Sequence, residues 1–405
     1  MKARLLNGVA WVYNRMAMIG ESVRICRRTL RHLNRVRRVR RREIGLVHGE
    51  THYLLSLAAQ DHGNWRAALR HCTRALTLGA DDGLVLRAEV VNATGLAMMN
   101  RGRYGQSRSA FAECLRIREQ LGDARGIGVS LYNLGSLAWY EGDLLAAYDY
   151  FVRGREIFER IGDRRMLSIT FVFLGETLRD MGRYREARES FQRALDLSIA
   201  LGIRRTEIEV NIFMADLELL TGDPWSAVQR VVSALSSRRR HRIPRKFVAE
   251  YYLYAGKVHL YAGKPRLAAL HLRKSLELAA TYPWPHMMGR VMRFQAMVSE
   301  SCRRDADAAR LYRLSGRTLG RLGARLELGR TLYEQARFEL RKADEVGAAM
   351  PGRVLPRLRR AAELLEGCHA EWDLTQARAL LRRLGALDGV SSAVTTVESH
   401  SDVRA

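Results

Sequence analysis

Few residues in this chain have types and spacings that could do chemistry. The nearest approach to a metal site is His48-Gly-Glu-Thr-His52. Two imidazoles four residues apart share a helix face, but a zinc peptidase needs its glutamate directly after the first histidine. Glu50 comes one residue too late, and His48, beside Gly49, is expected to precede the helix. We read the histidines as a surface pair. Cys26, Cys72, Cys114, Cys302 and Cys368 are odd in number and contain no C-x-x-C pair, which argues against a disulfide framework or a structural zinc. Cys72 and Cys114 are read as small core residues. The sequence contains no phosphate-binding G-x-x-x-x-G-K-[ST] loop, no nucleophile elbow, and no G-x-G-x-x-G after a strand. With no nucleophile, base or cofactor site to assemble, the expectation is a non-enzymatic protein without cofactor or metal.

The charged residues are more informative. Across 405 residues, 68 Lys+Arg against 43 Asp+Glu give a formal charge of +25. Residues 1–45 alone hold 13 basic residues and 2 acids, and residues 236–246 add six more basic residues with no acid. Arg37, Arg38, Arg40, Arg41 and Arg42 in the first run, and Arg238, Arg239 and Arg240 in the second, are candidate phosphate contacts. Flexible arginines of this kind give salt-sensitive, sequence-blind nucleic-acid binding. No aromatic residue interleaves either run, so base stacking is not supported. There is no signal-peptide pattern and no run of 18 uncharged apolar residues. A cytoplasmic protein without a membrane span is the expectation.

The elements that would position these residues follow from a repeat. Glycines recur at 20, 63, 102, 142, 182, 222 and 263, in steps of 39 to 43. Self-similarity at such a period marks a repeat architecture. Seven residues before the glycine stands a small residue (Gly95, Gly135, Gly175, Ala215 and Gly256, for example), and nine after it a bulky one such as Phe111, Phe151 or Phe191. Small residues let two antiparallel helices approach. The bulky residue is expected to fill the space between one hairpin and the next, and the glycine to end the first helix in a left-handed conformation.

The segments LYNLGSLAWYEGDLLAAYDYFVRGREI (131–157) and FVFLGETLRDMGRYREARESFQRALDL (171–197) resemble the tetratricopeptide repeat. The spacing near 40 is similar to the long form found in bacterial signalling regulators and kinesin light chains. The resemblance implies an all-α, right-handed superhelical solenoid of helix-turn-helix repeats. Residues 1–45 then read as a degenerate basic hairpin around Gly20, 46–285 as six well-formed repeats, 286–385 as degenerate repeats with a capping helix, and 386–405 as a disordered tail. In the repeat near 287–320, Arg303 replaces the turn glycine.

The resemblance also implies a concave groove where a protein or peptide partner lies. The family's groove positions map onto Glu89, Asn92, Tyr132, Asn133, Ser136, Trp139, Glu176, Arg179, Glu209, Asp216, Lys257 and Tyr261. With Glu50, Asp61, Asp180 and Glu250 the mapped wall is acidic, and Trp139 with Tyr132 and Tyr140 forms an aromatic centre. The function expected is a protein-interaction scaffold, the sensing arm of a bacterial signalling or regulatory system. Two alternatives are a small-molecule sensor of a transcriptional regulator and a nucleic-acid-associated protein using the arginine runs. The oligomeric state is not legible.

Overall fold

The computed structural model describes residues 2–16, 18–34, 41–79, 83–239, 243 and 245–386. The tail expected to be disordered, from residue 387 on, lies outside them. Among the described residues there are nineteen α-helices and no strand. They pair as hairpins: α1 (Lys2–Arg15) with α2 (Ile19–Leu33), α3 (Arg41–Asp61) with α4 (Trp65–Gly79), α5 (Leu84–Asn100) with α6 (Tyr104–Gln120), and α7 (Ala124–Glu141) with α8 (Leu144–Ile161). Next come α9 (Arg164–Asp180) with α10 (Tyr184–Ala200), α11 (Arg204–Leu220) with α12 (Pro224–Arg239), and α13 (Arg245–Tyr261) with α14 (Pro265–Thr281). The series ends with α15 (Pro285–Ser301) on α16 (Asp305–Leu322), α17 (Arg325–Glu345) on α18 (Val354–Glu366), and the single helix α19 (Glu371–Arg383). From α3 to α17 the odd-numbered helices touch one another in sequence and form the inner wall; the even-numbered helices lie outside. The architecture is an all-α solenoid of tetratricopeptide type.

Local chemistry explains the hairpins. The turn glycines at 63, 102, 142, 182, 222 and 263 all have positive φ, as the repeat requires. Gly20 does not fit this pattern: it sits inside the first turn of α2, after the connection between α1 and α2. Arg303 takes the turn glycine's conformation at φ 58°, an uncommon backbone for a residue with a side chain. Asp123, Asp143 and Asp163 cap α7, α8 and α9 by accepting from Gly126, Ala146 and Met166, which satisfies otherwise orphaned amides. His48 lies well inside α3, where the sequence reading had placed it ahead of the helix.

The small-and-bulky pattern acts first within a hairpin. The Phe151 ring covers Gly135 of its own repeat so closely that a Cβ there would stand 2.9 Å from it. Phe191 lies on Gly175 in the same way. Phe151 also meets Phe173 of the next repeat at 5.9 Å between ring centroids, so one ring joins the two layers.

The solenoid closes onto itself. After about five and a half repeats the chain returns to the turns of the early hairpins. Gly63 abuts Tyr282, Gly102 abuts Leu322, and Gly142 abuts Leu326 and Cys368. Arg325 Nε donates to the Glu141 carbonyl at 3.2 Å across the same seam. Glycine serves twice here, supplying the left-handed turn and leaving room for the returning chain. A Cβ on Gly142 would sit 2.7 Å from the Leu326 amide nitrogen, whereas one on Gly222 (φ 89°) meets open space. Gly222→Ala is expected to cost about 1–2 kcal/mol, the left-handed penalty alone. Gly142→Ala is expected to cost about 1–3 kcal/mol more through overpacking. Urea unfolding of both variants measures the difference; equal losses would mean that the seam contributes nothing.

Candidate functional site

Closure leaves an internal cavity of about 460 Å³ between the two superhelical turns. Its walls come from α9, α11, α13, α15, α17 and α19. Six cations and five carboxylates line it. Arg179 reaches Asp180 at 3.1 Å and Asp216 at 3.3 Å, and Lys257 reaches Asp216 at 2.6 Å. On the opposite wall Arg293 holds Glu327 at 2.6 Å, and Arg337 holds Glu334 at 2.8 Å. Arg330 joins the walls: it contacts Asp180 of α9 at 3.1 Å, Asp373 of α19 at 2.8 Å and Glu327 of its own helix at 3.2 Å. The Tyr254 hydroxyl donates to Glu176 at 3.1 Å and accepts from Arg290 at 3.0 Å. Tyr261 and Trp372 also line the cavity yet remain substantially exposed, so they border it where it opens to solvent.

Of the twelve groove positions read from the sequence, Arg179, Asp216, Lys257 and Tyr261 line this cavity. The aromatic centre does not face a partner. Trp139 is buried, its Nε1 donates to Asp180 at 2.9 Å, and Arg290 lies over its ring. Tyr140 packs on His286 at 4.6 Å, so α15 covers this part of the wall. Asn133 donates to Asn92 at 2.7 Å, and Ser136 bonds to the Tyr132 carbonyl. Tyr132 packs edge-on against Phe173, with their ring centroids 5.2 Å apart. Glu89 is held by Arg118 and Tyr53, Glu209 by Arg205, and Glu176 by Tyr254. Asn133, Tyr132 and Glu89 thus join neighbouring repeats, while Ser136 and Glu209 bond within their own helices.

The acidic wall also needs correction. Arg290, Arg293, Arg330 and Arg337 of α15 and α17 bring positive charge against it. The first two belong to a hairpin with Arg303 in place of the turn glycine, and the last two to one whose turn glycine, Gly347, is displaced from the repeat's spacing, so the mapping by glycines does not reach them. Arg303, at the turn position with Ala308 five residues on, is the signal that would have extended the map. Arg37, Arg38, Arg40 and Arg240 lie outside the described residues. Arg41, Arg42, Arg238 and Arg239 lie in helix ends whose side chains are outside them too. His52 pairs with His71 (Nδ1 to Nδ1 3.0 Å), not with His48, and no metal-binding cluster of His, Cys, Asp or Glu occurs among the described residues. All five cysteines are unpaired, and four are buried. No described helix is long and apolar enough to cross a membrane.

Comparison with known proteins agrees with this geometry. Residues 49–227 match the family model of the MalT-like TPR region, so this part of the chain is similar to that family. No curated protein matches the sequence. Among solved structures, a Rap protein complexed with competence and sporulation factor is similar at TM-score 0.65 and 10% identity, over 90% of this chain and 99% of that one. NprR in complex with its cognate peptide NprX is similar at TM-score 0.62 and 9% identity, over 90% of this chain and 100% of the other. Aspartyl phosphate phosphatase F from Bacillus subtilis is similar at TM-score 0.52 and 13% identity, over 98% and 97%. Identities this low establish a shared fold and nothing finer.

The charges around the cavity are unevenly matched. Burial alone would raise Asp180 and Glu327, but Arg179 and Arg330 outweigh it at Asp180 and Arg293, Arg290 and Arg330 at Glu327, so both are held below the usual carboxylate range. Behind them, burial pushes Glu250 up to about 7; Arg290 opposes this, and Glu209 adds to it. Burial also raises Glu176, where Arg179 opposes and Glu250 and Asp180 add. A carboxyl raised from 4.5 to about 7 keeps its proton in the fold at pH values where the unfolded chain has lost it. Its contribution is present in full below about pH 4.5 and lost as pH rises through 7. Glu250→Gln removes that loss. Its stability relative to the unsubstituted protein is expected to grow between pH 5 and 8, by on the order of 1–3 kcal/mol. Thermal midpoints across this range test it, and a difference independent of pH would show that Glu250 is ionised throughout.

Proposed function

We propose that the chain is a non-catalytic binding protein that takes up a short peptide of mixed charge in the cavity, as the sensing arm of a bacterial signalling or regulatory system. The observation that carries this reading is the lining: six cations and five carboxylates set around about 460 Å³ and bordered by exposed Tyr261 and Trp372. A small-molecule site is mostly apolar with a few polar groups, within a range of roughly 300–1,000 Å³. This cavity has the size but a far more charged lining. A peptide brings an ammonium and a carboxylate of its own and can exchange with pairs already made. Each carboxylate lining the cavity already has a cationic partner, an arrangement suited to recognition and poorly suited to a free general base. The peptide complexes reported for the Rap protein and for NprR, which share this fold, are consistent with the reading.

A pool of five- to eight-residue peptides carrying both charges, screened by thermal shift and titrated by calorimetry, tests the proposal. Tyr261→Ala and Trp372→Ala alter exposed side chains and should leave folding intact. Each is expected to weaken binding by about 5–30-fold, the range for an aromatic contact worth about 1–2 kcal/mol. Peptides that bind equally well to both variants would place the ligand elsewhere. If the pool does not bind and a charged metabolite panel does, the small-molecule sensor becomes the reading.

A further inference from the structure

The two ends of the solenoid are finished differently. At the C-terminal end α19 turns Leu374, Ala377 and Leu381 inward and exposes Glu371, Thr375, Arg382 and Arg383, with Trp372 at the cavity mouth as its one exposed large apolar side chain. A polar outer face is what a terminal repeat needs for solubility. At the N-terminal end α1 is built the other way round. Its buried residues are Ala3, Asn7 and Ala10, small or polar, with Asn7 bonded to the Val47 carbonyl and accepting from Thr51. Large apolar residues point out: Leu5 is 63% exposed, Val9 44% and Val12 47%, and Met16, just past the helix end, 62%.

These four are spaced i, i+4, i+7 and i+11, a single stripe along the helix. Helical geometry puts Lys2 beside the stripe and Arg4 and Trp11 roughly 100° or more round the helix from it; Lys2 and Arg4 both line the groove that the stripe borders. Lys2, Arg4 and Trp11 are all exposed. The stripe borders an open groove of about 1230 Å³ whose far side is His32, Leu33, Ile44 and Val47. No acidic residue lines this groove, and residues 1–45 carry 13 basic residues against 2 acids. A second copy of the same face would bring cation against cation.

We propose that this face is a peripheral docking surface for an anionic lipid membrane. The stripe enters the boundary between headgroups and acyl chains, while the cations of the groove meet lipid phosphates. An apolar helix face with cations in the groove beside it is suited to lying in that plane. Each basic residue near an anionic leaflet adds attraction that falls off within a Debye length. A lipid surface needs no register match. The inference is independent of the cavity and its ligand.

The test is co-sedimentation of the full chain with extruded vesicles of phosphatidylcholine alone and of phosphatidylcholine with 30% phosphatidylglycerol, at about 0.1 M salt. Binding to the anionic vesicles only is expected. Leu5→Ser/Val9→Ser/Val12→Ser should reduce partitioning at least tenfold at unchanged net charge, and Lys2→Gln/Arg4→Gln should reduce it several-fold. All five side chains are exposed, so folding, read by circular dichroism, should be unaffected. No binding to the anionic vesicles overturns the proposal. So does binding that the serine variant retains in full, which would be charge attraction without insertion. A concentration-dependent dimer abolished by the serine substitutions, with no vesicle binding, would assign the face to a second copy.

Discussion

The structure depends on the return of the chain to its own early turns. An open solenoid offers a groove, and its stability is a sum of nearest-neighbour terms. Here Leu322, Leu326 and Cys368 meet the turns at Gly102 and Gly142, adding contacts between repeats far apart in sequence. The groove thereby becomes a cavity. Residues that would have lined an open wall, Trp139 above all, become the packing between superhelical turns. Closure therefore determines which of the repeat's usual recognition positions remain available.

Closure also has an electrostatic cost, because it takes charges out of water. A buried ion pair is weak evidence of stability, since desolvation can exceed the attraction regained. The arrangement here offsets that cost by sharing. Arg330 serves Asp180, Glu327 and Asp373, while Asp216 is served by Arg179 and Lys257. Arg330 draws these carboxylates from three helices, two of which meet only because the solenoid has closed. Arginine suits the position, because its planar fork engages several carboxylates at once. Glu176 and Glu250 sit at the under-served edge of the network, where protonation relieves the shortage of positive charge.

The local construction was legible in the sequence because each repeat states its own chemistry. A left-handed turn calls for glycine, a close helix crossing for a small residue, and Phe111, Phe151 and Phe191 fill the space opposite. The cavity was much less legible. Arg179, Asp216, Lys257 and Tyr261 could be mapped, since they belong to repeats with intact turns. Arg290, Arg293, Arg330 and Arg337 could not, and they reach the earlier wall only through the superhelical return. Repeat period does not encode curvature, so nothing in the sequence placed α15 over Trp139 and Tyr140. Gly20 misled for the opposite reason: its spacing fits the period, but it lies in the first turn of α2, past the connection.

The same logic separates the ends of the molecule. Inside the array an apolar outward face is covered by the next hairpin, so large residues there need no explanation. An apolar face left exposed marks a surface with an occupant. α19 keeps its outer face largely polar and α1 does not, and the contrast lies within one chain built from one repeat. Drift in a degenerate hairpin would be expected to scatter polar residues over α1's exposed side. Leu5, Val9, Val12 and Met16 instead hold one stripe, while the side facing the fold is left to Ala3, Asn7 and Ala10. On the reading proposed above, what that stripe fits is a lipid surface.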